Sequence, residues 1–265
     1  MCVVFACPED GKLPTMDELL GGALANSDGA GVAWATGGKL FWRKGLKHAE
    51  VEKLIEEGVL KPPCIIHYRI TSAGETCDEL THPFPCTPQV QLELEGESTS
   101  FPVLFHNGTV AHWREEMKLA ITGGRGALKV PPGEWSDTRV LAYLVALYGI
   151  GYLEFVDGLS GDKVSLLHPN GVIQYIGNWH HKDGFYASNE SYLTGRRGKG
   201  GVSGFTRPVE AVASTGAQGT TTPEKTTTTP APGIDLSGVH SRGELQALVK
   251  EMHGKSLLLG VEVRS

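Results

Sequence analysis

Four short segments of this chain carry residue types suited to chemistry on a carbonyl group. Cys2 follows the initiator methionine, which is usually removed when the second residue is small. Removal would leave a thiol and a free α-amine on one residue, with unperturbed pKa values of about 8.5 and about 8. The amine can then relay the thiol proton, directly or through one water, so that the sulfur becomes a nucleophile without a separate histidine. The segment His67-Tyr68-Arg69-Ile70-Thr71-Ser72-Ala73-Gly74 closes a predicted strand, and an arginine there can clamp a carboxylate through two parallel hydrogen bonds. In Phe105-His106-Asn107-Gly108-Thr109, the Asn107 side-chain amide and the Gly108 backbone N–H make a pair of oxyanion donors, because glycine lets the backbone approach closely. In Ser136-Asp137-Thr138, at a predicted helix start, Asp137 can accept hydrogen bonds from an ammonium group.

Each segment alone also has a purely structural reading. Cys2 can be a buried strand cysteine and Arg69 a strand-end salt bridge. Asn107-Gly108 can be a simple turn, and Asp137 a first-turn residue favoured by the helix dipole. Together the four describe one substrate. A nucleophile attacks a carbonyl, two donors hold the oxyanion, a cation holds a carboxylate and an anion holds an ammonium, as glutamine cleaved at its side-chain amide requires.

Over roughly residues 2 to 195 the chain resembles the class II glutamine amidotransferases, which belong to the N-terminal nucleophile hydrolases. The resemblance is carried by Met1-Cys2, His67-x-Arg69-x-x-Ser72-x-Gly74, His82-Pro83-Phe84, His106-Asn107-Gly108-Thr109-Val110 and Ser136-Asp137-Thr138-Arg139-Val140, in that order. Asp28-Gly29-Ala30-Gly31-Val32 is similar to an early turn of the family, and Tyr186-Ala187-Ser188-Asn189-Glu190 to a late strand end. The resemblance implies Cys2 as nucleophile through a thioester, and Asn107 with Gly108 as the oxyanion hole. It further implies Arg69 on the glutamine carboxylate, Asp137 on its ammonium, Ser72 as a hydroxyl contact in place of threonine, and His82 among the substrate-binding residues. Ile70 stands where the family commonly has an aromatic residue, and Ala111-His112 where it often has an asparagine. No cofactor is implied. Ammonia needs an acceptor, and no phosphoribosyltransferase, isomerase or ATP-binding segment is evident, so a separate synthase or ligase partner is expected. Two alternatives stay open: a stand-alone amidase acting on another γ-glutamyl or amide substrate, and a non-catalytic binding module of the same fold.

The elements that must position these residues are legible from periodicity and turn chemistry. Val3 to Ala6 and Cys64 to Ile70 read as strands. Gly31 to Ala35 and Leu40 to Lys44 read as a hairpin across Gly37-Gly38. Thr15 with Glu18 predicts a capping box for a helix starting near Met16, and Ala49 to Glu57 predicts a second helix. Alternating Val90, Leu92 and Leu94 predict a strand. Val103 to Phe105 predicts another, running into His106. Helices are expected from Trp113 to Ile121 and, capped by Ser136, through Tyr148. Lys163 to Leu167 and Val172 to Ile176 flank the hairpin signal Asn170-Gly171, and Phe185 to Ser188 reads as a last strand, with His180-His181-Lys182-Asp183 in a loop. This order predicts an α+β chain, a four-layer αββα sandwich of two mainly antiparallel sheets between helices.

The chain has 265 residues and a net charge of −6, which gives no reason to expect nucleic acid or an anionic membrane as partner. No stretch is long and apolar enough to span a bilayer, and the N-terminus lacks a basic leader, so a cytoplasmic protein is expected. An odd count of five cysteines argues against a disulfide framework. Cys77, His82 and Cys86 lack a common zinc-ligand spacing, and His180-His181 reads as a polar turn, so no metal is expected. Arg196-Arg197-Gly198-Lys199-Gly200-Gly201 lacks the spacing of a phosphate loop. Three regions are expected: a catalytic domain over 1–212, a Thr/Pro-rich linker over 213–233, and a small helix-strand tail over 234–265.

Overall fold

The computed structural model describes residues 2–72, 74–89, 91–122, 131–156, 159 and 161–194. The linker, the tail, the Arg196–Gly201 segment, Met1, Ala73 and Val90 lie outside the described residues.

Two antiparallel sheets stack face to face. The larger has seven strands in the order β10-β11-β1-β4-β2-β3-β6, and the smaller has four in the order β5-β7-β8-β9. Their ranges are β1 Val3–Cys7, β2 Ala30–Thr36, β3 Lys39–Leu46, β4 Cys64–Tyr68, β5 Phe84–Pro85, β6 Glu95–Ser98, β7 Val103–Asn107, β8 Lys163–Leu167, β9 Ile173–Ile176, β10 His180–Lys182 and β11 Phe185–Ala187. Helices α1 (Met16–Ala25), α2 (His48–Glu56) and the short α5 (Ser191–Thr194) cover the outer face of the large sheet, and α3 (Trp113–Thr122) and α4 (Asp137–Tyr148) cover that of the small one. This is the expected αββα sandwich.

The layering follows from side-chain alternation. On β1, Val4 and Ala6 point between the sheets and meet Val103, Phe105 and Leu167, while Val3, Phe5 and Cys7 point outward to Leu19, Val51 and Tyr192. Both faces are buried, so β1 reads as an unbroken apolar run, as a central strand should. Phe5 packs edge-on against Tyr68, Phe185 and Tyr192, with ring centroids 6.5, 5.8 and 5.1 Å away. Fully burying a side chain of this size contributes roughly 1.5–3 kcal/mol. It fastens β1, β4, β11 and α5 together close to Cys2.

Local signals set several boundaries. The Thr15 hydroxyl accepts the Glu18 N–H at 3.3 Å and the Glu18 carboxylate accepts the Thr15 N–H at 2.8 Å, so the capping box forms. Gly37 and Gly38 both take positive φ, 58° and 76°, as a tight hairpin turn demands. Ser136 caps α4 by accepting the Arg139 N–H at 3.2 Å.

Two expectations need correction. Residues 91–94 form no strand; the strand lies at Glu95–Ser98, on the sheet edge beside β3. Lys44 is the cause. Its buried ammonium binds the carbonyls of Glu79 and Gln91 at 2.8 and 2.9 Å, and Gln91 turns inward to the Pro85 carbonyl, which draws the chain before Glu95 off an extended path. His180–Lys182 is a strand rather than a loop; it pairs with β11, and the turn falls one step later at Asp183-Gly184, both with positive φ. Among the described residues no helix is long and apolar enough to cross a membrane.

Candidate active site

One cleft opens at the end of the sandwich, enclosing roughly 300 Å³ including the space open to solvent. Cys2, Arg69, Ser72, His82, Gly108 and Asp137 line it, together with Ile70, Leu80, His106, Ser136 and Thr138. Residues from the start of β1, the end of β4, the end of β7 and the first turn of α4 therefore meet in one place. Asn107 is not part of the lining. It is the last residue of β7 and is buried.

Cys2 is 9 % exposed. Its thiol donates to the Ile70 carbonyl at 3.3 Å, and its sulfur accepts the Ile70 N–H at 3.4 Å. One backbone residue thus supplies an acceptor for the thiol and a donor for the thiolate. Only the main chain of Ile70 is used, and its side chain points partly to solvent, which explains why an aliphatic residue serves here. Burial pushes the Cys2 thiol up from its ordinary value, while the Ile70 N–H and the Arg69 charge pull it part of the way back. The thiol is therefore protonated at neutral pH. The Asn189 side chain donates to the Cys2 carbonyl at 2.7 Å and fixes the backbone that carries the sulfur.

Arg69 is buried, and among the described residues it makes no salt bridge, so the strand-end ion pair is not what holds it. Its Nη1 donates to the Cys77 carbonyl at 3.2 Å and its Nη2 to the Glu75 carbonyl at 2.7 Å. Two of the five guanidinium N–H groups are engaged in this way. Burial lowers its pKa, opposed by Cys2, Cys77 and the carboxylates of Asp28 and Asp137. A buried guanidinium with its plane fixed and donors left over is suited to a ligand carboxylate. The loop that follows is held by Asp28, whose carboxylate accepts the Thr71 N–H at 2.8 Å, and by a 2.9 Å hydrogen bond between the Ser72 and Thr109 hydroxyls.

Asp137 is likewise buried and anchored. It accepts the Val110 N–H at 3.1 Å and the Thr138 N–H at 2.8 Å. Its bond to Val110 ties the first turn of α4 to the turn after Gly108. His82 lies on the cleft wall with its ring stacked on His67 at 4.0 Å, and its Nδ1 accepts the His106 N–H at 3.4 Å. Burial drives both rings towards the neutral form, His82 well below the ordinary histidine value and His67 to about 3.

Sequence reasoning missed Asp162. Its carboxylate lies 3.0 Å from His106 Nε2 and accepts the Thr109 N–H at 3.2 Å. It also fills the space where a Cβ on residue 108 would stand, so any larger residue there must displace the Asp162 carboxylate. The other His106 nitrogen, Nδ1, is 3.2 Å from the Thr138 hydroxyl. With both ring nitrogens engaged, His106 is a brace for the turn rather than a base for Cys2. A lone aspartate 56 positions after its partner gives no local signal. Ser188 and Asn189 stood in a noted motif but had no contact to predict. Among the described residues no group of three or more His, Cys, Asp or Glu is placed to hold a metal ion.

No protein-family model and no curated protein matches the sequence. Solved structures do match the fold. One is an allosteric regulatory enzyme of purine biosynthesis, 18 % identical, with a TM-score of 0.49, covering 73 % of this chain and 43 % of that one. Another is the glutamine phosphoribosylpyrophosphate amidotransferase of B. subtilis complexed with ADP and GMP, 18 % identical, with a TM-score of 0.48, covering 73 % of this chain and 42 % of that one. One neighbour in structure is thus a glutamine amidotransferase. The match spans less than half the length of either neighbour.

Proposed function

We propose that this protein hydrolyses the side-chain amide of L-glutamine through a Cys2 thioester and releases ammonia for a separate synthase or ligase. The observation that carries the reading is the meeting of Cys2, Arg69, Gly108 and Asp137 in one cleft, from four elements far apart in the chain. With Met1 removed, the Cys2 α-amine takes the thiol proton, and the sulfur attacks the amide carbon. The oxyanion forms against the Gly108 N–H and the Asn107 amide, the C–N bond breaks, and the amine returns its proton to the departing ammonia. Water then attacks the thioester and releases glutamate. Arg69 and Asp137 hold the two charged groups of the free amino acid, which favours glutamine over an uncharged amide. In this reading residues 213–233 tether the 234–265 tail, which serves to dock the ammonia acceptor.

The test combines intact-mass measurement of the N-terminus with a glutaminase assay on the wild type and on Cys2→Ala. The expected result is a mass lacking Met1, glutamate formation by the wild type, none by the variant, and labelling of Cys2 by a glutamine-mimicking diazo ketone. A retained Met1 with no labelling overturns the catalytic reading.

A further inference from the structure

Ser188 lies just past the end of β11, fully buried, and it touches the two halves of the proposed chemistry at once. Its hydroxyl oxygen accepts the Val4 N–H at 2.9 Å, two residues from the nucleophile. The same oxygen accepts the Asn107 side-chain N–H at 2.8 Å. Its own backbone N–H donates to the Val4 carbonyl at 2.9 Å, so Ser188 grips Val4 on both sides. The next residue, Asn189, holds the Cys2 carbonyl. Among the described residues, the Asn107 side chain has no other hydrogen bond, and its buried Oδ1 has no partner. A primary amide carries two N–H groups, so one can bind Ser188 while the other faces a ligand. Without Ser188 nothing described would fix the rotation of that amide about its last side-chain bond, which is broad and weakly restrained.

We infer that Ser188 is a positioning residue that locks the Asn107 amide to the Cys2 strand, so that nucleophile and oxyanion donor keep one geometry. The inference rests on the reading of Asn107 as an oxyanion donor. Asn107 would touch the reacting oxygen, whereas Ser188, anchored on Val4, touches no reacting atom and acts through Asn107.

The experiment compares Ser188→Ala, Asn107→Ala and the double variant in glutamine hydrolysis. It adds the rate of Cys2 alkylation by iodoacetamide, a displacement that forms no oxyanion. Ser188→Ala should lower kcat about ten- to a hundredfold with KM within about twofold, since a misplaced donor loses most of its effect. It should leave the alkylation rate unchanged, and it should cause no further loss in the Asn107→Ala background. An equal fall in alkylation, or the same loss in both backgrounds, overturns the inference. One readout is independent of turnover. The Asn107 side-chain amide signals in a ¹⁵N spectrum, assigned from Asn107→Ala, should move in Ser188→Ala; unmoved signals overturn the inference. A wild type that hydrolyses no glutamine defeats the proposed function, while the spectrum still decides the contact. Should Ser188→Ala not fold, Ser188→Cys, of similar volume and a far weaker hydrogen-bond partner, is read in the same way.

Discussion

Replacing Gly108 with alanine should damage stability and turnover through one displaced carboxylate. A Cβ at this position would overlap Asp162, which cannot withdraw freely because it is bonded to His106 at 3.0 Å and to the Thr109 N–H at 3.2 Å. Asp162 is 17 % exposed and finds water once pushed aside, but His106 is 1 % exposed and does not. Losing a charge-linked hydrogen bond is worth roughly 1.5–3 kcal/mol, and the backbone bond about 1 kcal/mol more, with partial recovery from solvent. The net expectation is a loss of about 2–4 kcal/mol in unfolding free energy, read from urea denaturation. Alanine keeps the backbone N–H of residue 108, but the clash with Asp162 should displace this oxyanion donor and lower kcat by up to about a hundredfold. The double variant decides the cause. In an Asp162→Ala background the carboxylate is gone, so Gly108→Ala should remove less than about 0.5 kcal/mol further. Full additivity of the two losses, or a single-variant loss below about 0.5 kcal/mol, would refute the steric argument.

Arg69→Ala should raise KM for glutamine far more than KM for an amide lacking the α-carboxylate; equal effects on both would remove Arg69 from carboxylate binding. The rate of Cys2 alkylation should rise with pH to a midpoint above that of an ordinary thiol, because burial raises its pKa, and Arg69→Gln should move the midpoint higher still, because the Arg69 charge lowers it. Lys44 is held near pKa 7 against 10.5 in the unfolded chain, chiefly by burial. Between these values the unfolded state binds more protons, so Lys44 makes stability increase with pH by up to about 1.4 kcal/mol per pH unit from pH 7 to about pH 10. Denaturation midpoints measured across that range should lose this slope in Lys44→Met.

The parts of the fold that the sequence disclosed are those set by neighbours in the chain. The Thr15–Glu18 box, the Gly37-Gly38 turn and the Ser136 cap are each complete within a few residues, so their chemistry is local. Strand β1 was readable as an unbroken apolar run because both of its faces are buried. What escaped depends on partners distant in sequence. The edge strand β6 begins where it does because Lys44 captures the Gln91 carbonyl. Strand β10 carries two histidines and a lysine at a sheet edge, where no apolar face is required. In the cleft, the side chains expected to face a ligand were named by type, but the bracing beneath them was not. Asp162, Thr138, Ser188 and Asn189 matter through bonds across 32 to 187 positions.

The place of β1 in the sheet also sets a timetable. Phe5 pairs with Ile66 on one side and with Ala187 on the other, so one edge of β1 waits for some of the latest described residues to be made. At about 5–20 residues per second that wait is roughly ten to forty seconds. During it the first strand has one edge open, and the Cys2 carbonyl lacks its Asn189 donor. Once β11 docks, Asn189 seizes the Cys2 carbonyl and Cys2 takes its place in the wall of the cleft. The wall of the cleft at Cys2 is therefore completed only when residues from both ends of the described chain have met.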